Sequence, residues 1–224
     1  MPDRPDGDDG PGEATAHGHP SNRHVPQSGP IGGDIAGVVA GLGARFRIPA
    51  LTSRHSSTAI MGAFAFANGV LSIAVMSAAA LLTGQPFIFP SLGPTAFLLF
   101  YTPTAPAASP RNTVCGHAIG VAAGYLSLLL FGLIDAGPAL AEGVTAGRVG
   151  AAALSLGATS GLMVWARVPH PPAGATTLIV SLGILTQPEQ LAVLMGAVVL
   201  LVLQGFAINH LAGIPYPRWR PDPT

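Results

Sequence analysis

The chain has 224 residues, only 9% of them charged, and its mean hydropathy is +0.52. Its ten basic side chains are all arginine and balance ten acidic ones, for a formal net charge of zero. No basic face for nucleic acid is expected, and a single cysteine, Cys115, excludes an intrachain disulfide.

Residues 1–56 are rich in Asp, Gly and Pro and poor in apolar side chains. They bury too little surface to offset the entropy of ordering, so they read as a disordered or weakly structured tail. No apolar core follows the charged start, so a signal peptide is not expected. His17, His19 and His24 in this tail could bind a metal loosely, but a solvated tail is the expected reading. A Gly-rich, mildly apolar stretch, Ile31 to Ile48, predicts a short surface helix.

Four long apolar runs follow: Ala59–Leu82, Val114–Ile134, Val149–Ala166 and Leu191–Ile208. Each is long enough, or nearly so, for the roughly 20 residues a helix needs to cross the hydrocarbon core. Glycines recur every fourth residue at Gly116, Gly120 and Gly124, and again at Gly157 and Gly161, which predicts bare helix faces for close packing. Between the long runs lie two shorter apolar segments, Pro86–Tyr101 and His170–Leu185, each opening on prolines. They predict broken or re-entrant spans, an extended start followed by a helix. The expected fold is an all-α integral membrane domain over 57–213, with a short C-terminal tail over 214–224.

Six crossings with the N-terminus inside put Arg45, Arg47, Arg54, Arg111, Arg167, Arg218 and Arg220 on the cytoplasmic face. Only Arg148 then lies outside, in a loop with Asp135 and Glu142. Four crossings with re-entrant short segments remain the alternative. The arginine pattern favours six, in a plasma or inner membrane.

The short segments resemble each other. PSLGPTAFLL (Pro90–Leu99) aligns with PPAGATTLIV (Pro171–Val180), pairing Pro90 with Pro171, Gly93 with Gly174 and Thr95 with Thr176. The order long–short–long, twice, suggests a 3+3 inverted repeat. Ser91, Thr95, Thr176 and Thr177 bring hydroxyls to two helix starts, where free N–H groups and the helix dipole favour an anion. No carboxylate lies in any span, so a small anion or small neutral solute is the expected cargo. Pro172 completes the candidate site beside His170. Arg111, Asn112 and His117 are candidates for gating or for the mouth. Alternatively, the prolines and glycines serve only kinks and packing. No metal, cofactor or catalytic constellation is expected: the histidines lack ligand spacing, and no nucleophile–base or paired-carboxylate element is present. The glycine-rich faces make a homo-oligomer plausible.

These motifs together resemble the HPP family of integral membrane proteins: PSLGPTAFLLF, SPRN followed by GH (Ser109–Asn112, Gly116–His117), HPPAGATTL and YPRW (Tyr216–Trp219). The resemblance covers about residues 57 to 220. It implies a membrane domain usually described with four transmembrane helices. Some relatives are implicated in nitrite transport, which makes nitrite the leading substrate; a non-transporting scaffold or sensor module is the rival. The regulatory domain of some bacterial relatives is not expected here. Where the family often has Ser-Phe-Gly-Ala-Ser, this chain has Ser91, Leu92, Gly93, Pro94, Thr95.

Overall fold

The computed structural model describes residues 47–52 and 56–221. The expected tail therefore lies outside the described residues except for 47–52 and 56, as do its histidines and all but the last two residues of the Ile31–Ile48 stretch. Among the described residues there is no strand. The helices are α1 Ile48–Thr52, α2 Ser57–Thr83, α3 Leu92–Tyr101, a 3-10 turn Pro106–Ala108, α4 Pro110–Leu130, α5 Ala139–Glu142, α6 Ala146–Trp165, α7 Ala173–Ser181 and α8 Pro188–Leu211.

The four long runs form α2, α4, α6 and α8. Three of them, α2, α4 and α8, are long and apolar enough to cross a membrane. In α6, Arg148 and the many Gly, Ser and Thr residues dilute the apolar character. Local chemistry sets the helix ends. Ser109 accepts from the N–H of Asn112 and Pro110 opens α4, so this helix starts four residues before the apolar run. It stops at Leu130, and Gly132 then takes φ 64° to turn the chain. Each short segment starts without helix and becomes helical late, as its prolines predict: α3 has 10 residues and α7 has 9. At about 1.5 Å per residue neither helix covers more than about half the hydrocarbon thickness.

The bundle is apolar outside, and its interior holds buried polar side chains beside an apolar core. Phe66, Leu81, Leu82, Leu126, Leu130, Leu203 and Leu211 are exposed, whereas Ser91, Thr95, Thr113, His117, Thr159, His170, Thr176, Thr177 and Asn209 are buried. Lipid solvates the first group, and internal hydrogen bonds serve most of the second. A compact apolar core around Leu92, Leu99, Phe100, Leu194, Val198 and Leu201 joins α3 to α8. There Gly205 admits Leu99, and the Asn209 amide donates to the Leu99 carbonyl at 2.9 Å.

The glycine stripe of α4 is the seat of α7. A Cβ on Gly116 would lie 2.7 Å from the His170 Cβ; on Gly120, 2.8 Å from the Ala173 carbonyl oxygen; on Gly124, 2.8 Å from the Val180 Cβ. The two helices therefore ascend side by side at near-contact, as small residues allow. The second stripe behaves differently: Gly157 meets nothing within 4 Å, and Gly161 meets only its own helix's Trp165.

One sequence expectation needs correction. Arg148 is not in a loop. It sits in the first turn of α6, 2% exposed, and donates to the carbonyls of Ser181, Ala136 and Gly137 at 3.3, 3.1 and 2.6 Å. The guanidinium thus satisfies the Ser181 carbonyl at the end of α7 and ties it to two carbonyls of the loop before α5.

The C-terminal residues also fold onto the bundle. The Tyr216 hydroxyl donates to the Ala108 carbonyl at 2.6 Å, and the Arg111 N–H donates to the Trp219 carbonyl at 3.0 Å.

Candidate functional site

At the end of α6, Arg167 adopts φ 56°, a left-handed position usually given to glycine. Val168 N–H reaches back to the Met163 carbonyl at 2.9 Å, and the chain turns into Val168-Pro-His-Pro-Pro. Arg111 secures this turn by donating to the carbonyls of Arg167 and Ala166, both at 3.3 Å. Asn112 holds the other side, donating to the Pro106 carbonyl at 2.9 Å. Both residues fix loops, and neither touches the polar cluster described next.

His170 is buried against Gly116 and faces the 3-10 turn. Its Nδ1 lies 2.7 Å from the Ala107 carbonyl oxygen. A carbonyl only accepts, so Nδ1 carries the proton and Nε2 of the neutral ring is left as an acceptor. Nε2 lies 3.3 Å from the Thr95 Oγ1. The same hydroxyl lies 3.0 Å from His117 Nε2 and 2.9 Å from the Ser91 carbonyl oxygen. The other nitrogen of His117, Nδ1, lies 2.7 Å from the Thr176 Oγ1. The two imidazoles are 4.9 Å apart between centroids.

Thr95 and Thr176 are each the fourth residue of their short helix. One imidazole, on a long helix between them, thus touches the matched hydroxyl of both short segments. The first turns of α3 and α7 also share a groove of about 420 Å³, lined by Pro94, Phe97 and Leu98 on one side and Pro171, Pro172 and Ala175 on the other. A second groove, about 320 Å³, runs between α6 and the Pro169–Gly174 stretch and reaches His170.

The donors at the start of α7 are already engaged. The N–H groups of Ala173, Gly174 and Ala175 donate to the carbonyls of His170, Pro171 and Pro172 at 3.0, 3.0 and 3.1 Å. Free backbone N–H groups, expected from the sequence, are therefore lacking at this helix start. Hydroxyls and imidazoles are the polar groups on offer instead. Ser91, the N-cap of α3, has a fully buried hydroxyl with no hydrogen-bond partner. Such a group is costly to leave unpaired.

The polar groups continue past the histidines. Thr177 Oγ1 lies 2.8 Å from Thr159 Oγ1 and donates to the Ala173 carbonyl. Ser127 and Ser155 follow on α4 and α6, and then Ser181 and Arg148 at the far end of α7. Of the residues singled out in the sequence, Thr95, His117, His170 and Thr176 meet directly, Ser91 and Thr177 flank them, and Gly174 borders the second groove. Pro90 and Gly93 are exposed, and a Cβ on Gly93 would meet nothing. Three buried participants escape a reading of the sequence: Thr113, 3.5 Å from His170 Nδ1, Thr159 and Arg148. Spacing could have found Thr159, which lies on the α6 face shared with Ser155.

No curated protein and no solved structure matches the chain. A family model described as HPP, transmembrane region, matches residues 52–217, which include every helix of the bundle after α1 and all the residues of the cluster. The chain belongs to this HPP transmembrane family.

Proposed function

We propose that the protein conducts a small anion, with nitrite as the leading substrate, along the buried column that runs from His170 to Arg148. The observation that carries this reading is the set of buried hydroxyls and imidazoles on α3, α4, α6 and α7. Hydroxyls and imidazoles inside a lipid-facing bundle are expensive, and where they persist they mark substrate or proton paths. Two broken segments meeting at matched threonines fit a 3+3 inverted repeat with the site near its axis. The positive-inside distribution supports six crossings with a cytoplasmic N-terminus in a plasma or inner membrane. Arg148 is the one exception, a buried positive charge that its carbonyl partners orient but do not neutralise. The reading involves no catalysis and no resident cofactor. The exposed Gly157 face is available to a second copy of the chain.

One observation favours the rival scaffold or sensor reading: Ser91, Thr95, Thr176 and Thr177 are all fully buried. On the transport reading this is a closed state that opens. Nitrite flux into proteoliposomes, measured for the wild type, His170→Ala and Thr176→Val, separates the two. Protein-dependent flux that folded variants lose supports conduction. Flux no faster than in empty vesicles, with nitrate and formate equally silent, favours the scaffold. Cysteines placed at Ser91, Thr95, Thr176 and Thr177 give an independent reading, since a water path makes them reactive to polar thiol reagents.

A further inference from the structure

The hydrogen bonds of the histidine cluster are one proton short. Four contacts link its members: Thr176 to His117 Nδ1, His117 Nε2 to Thr95, Thr95 to His170 Nε2, and Thr95 to the Ser91 carbonyl. With both rings neutral, three protons are available to fill them: one on the Thr176 hydroxyl, one on the His117 ring and one on the Thr95 hydroxyl. The His170 Nδ1 proton does not help, because the Ala107 carbonyl takes it at 2.7 Å, with Thr113 at 3.5 Å on the same nitrogen. The Thr95 hydroxyl must therefore choose between the Ser91 carbonyl and His170 Nε2. A proton added at His170 Nε2 removes the conflict. That N–H donates to Thr95 Oγ1, His117 Nε2–H donates to its other lone pair, and the Thr95 hydroxyl turns to Ser91.

The surroundings give such a proton no resident partner. Among the described residues no carboxylate contacts either ring. The ionisable groups on the neighbouring elements are Arg111, Cys115 and Tyr125 on α4, Arg148 and Arg167 at the two ends of α6, Tyr101 on α3, Glu189 and His210 near the ends of α8, and Tyr216, Arg218 and Arg220 in the C-terminal segment folded onto the 3-10 turn. Asp135, in the loop after α4, and Glu142, the last residue of α5, lie between α4 and α6. Arg111 is occupied with the Ala166 and Arg167 carbonyls. A lone imidazolium here is a buried, uncompensated charge, and so is a lone anion. Each supplies the charge the other lacks. The unpartnered hydroxyl of Ser91, the residue whose carbonyl Thr95 would turn to, offers the anion a donor.

Resting on the transport reading above, we propose that the cluster binds one proton at His170 together with one anion, so that the protein moves a proton and a monovalent anion as a neutral pair. The bond made is N–H at His170 Nε2; on release the same proton returns to water, and no other group is consumed.

The test uses the full chain in liposomes with a trapped pH dye. Nitrate is the main probe, because its acid is fully dissociated and does not leak through lipid as the neutral form; nitrite is run beside it. An inward anion gradient should acidify the lumen. The rate should rise as the outside pH falls from about 8 to about 6, by up to about tenfold per pH unit while the site is unsaturated. It should ignore a potassium diffusion potential. His170→Gln should abolish the pH signal, leaving any residual anion flux dependent on the potential. Anion flux without lumen acidification, at a rate set by the potential, overturns the proposal. Absence of flux for both anions defeats the transport reading, and the proton count is then decided by imidazole ¹⁵N spectra of the purified protein. One imidazole that gains a proton on adding nitrite supports the paired site. Two imidazoles unchanged by anion from about pH 8 to about pH 6 refute it.

Discussion

Replacing Gly120 by alanine tests the tight seat of α7 on α4. The new Cβ would stand 2.8 Å from the Ala173 carbonyl oxygen and 2.9 Å from Thr177 Oγ1, where ordinary contact begins near 3.4 Å. The obstacle is backbone, so α7 has to move away by about 0.6 Å. Overpacking of this kind costs about 1–3 kcal/mol. Alanine returns up to about 1 kcal/mol in helix preference. Gly157→Ala isolates that second effect, because its Cβ meets nothing within 4 Å. The expected difference between the two variants is therefore about 1–3 kcal/mol in favour of Gly157→Ala. Denaturant titration of the detergent-solubilised protein, followed by circular dichroism, measures it. The same displacement would stretch the 2.7 Å contact between Thr176 and His117 to about 3.3 Å, so transport should weaken as well. Equal stability for Gly120→Ala and Gly157→Ala would refute the claim that the glycine stripe sets the distance between these helices.

Thr95→Val keeps the shape of the side chain but removes the hydroxyl shared by both histidines. It should destabilise by about 1–3 kcal/mol through unpaired buried nitrogens, whereas Thr95→Ser should stay near wild type in the same titration. Arg148→Met strips the donors from three carbonyls and should cost at least about 2 kcal/mol; amide exchange should rise first at the end of α7. Burial pushes the Tyr216 phenol above its ordinary range. A raised folded value means the stabilisation is complete below the unfolded value and fades as pH climbs past about 10. The thermal unfolding temperature should therefore fall in that alkaline window for the wild type, and Tyr216→Phe should lose this slope while also losing the bond to the Ala108 carbonyl.

Much of the fold was legible because lipid simplifies the code. Long uncharged runs become long helices, and Pro86–Pro90 and His170–Pro172 delay helix formation in the two short segments. The Gly116–Gly124 stripe announced a close partner but not which one; α7 became evident only in three dimensions. The cluster was half legible. Thr95, His170 and Thr176 stood out beside prolines, while His117 looked like one polar residue in an apolar run. Its role follows from lying between two helix starts that are far apart in sequence. Arg148 was misread because its partners are carbonyls, and carbonyls leave no trace in a sequence. The same holds for the donors of Ala173, Gly174 and Ala175, whose use within the turn depends on backbone geometry alone.

The long sequence separations inside the cluster impose an order on biosynthesis. His117 precedes Thr176 by 59 residues, and Thr95 precedes His170 by 75. Thr95 and His117 therefore reach the membrane while their later partners are still untranslated. The 3-10 turn that carries the Ala107 carbonyl waits longer still, since Tyr216 fastens the neighbouring Ala108 carbonyl from beyond the last helix. The early half has to be held by water, lipid headgroups or the insertion machinery until the late half arrives. Co-translational insertion should then yield two sequential states, with protease resistance acquired only after the residues around Tyr216 have emerged.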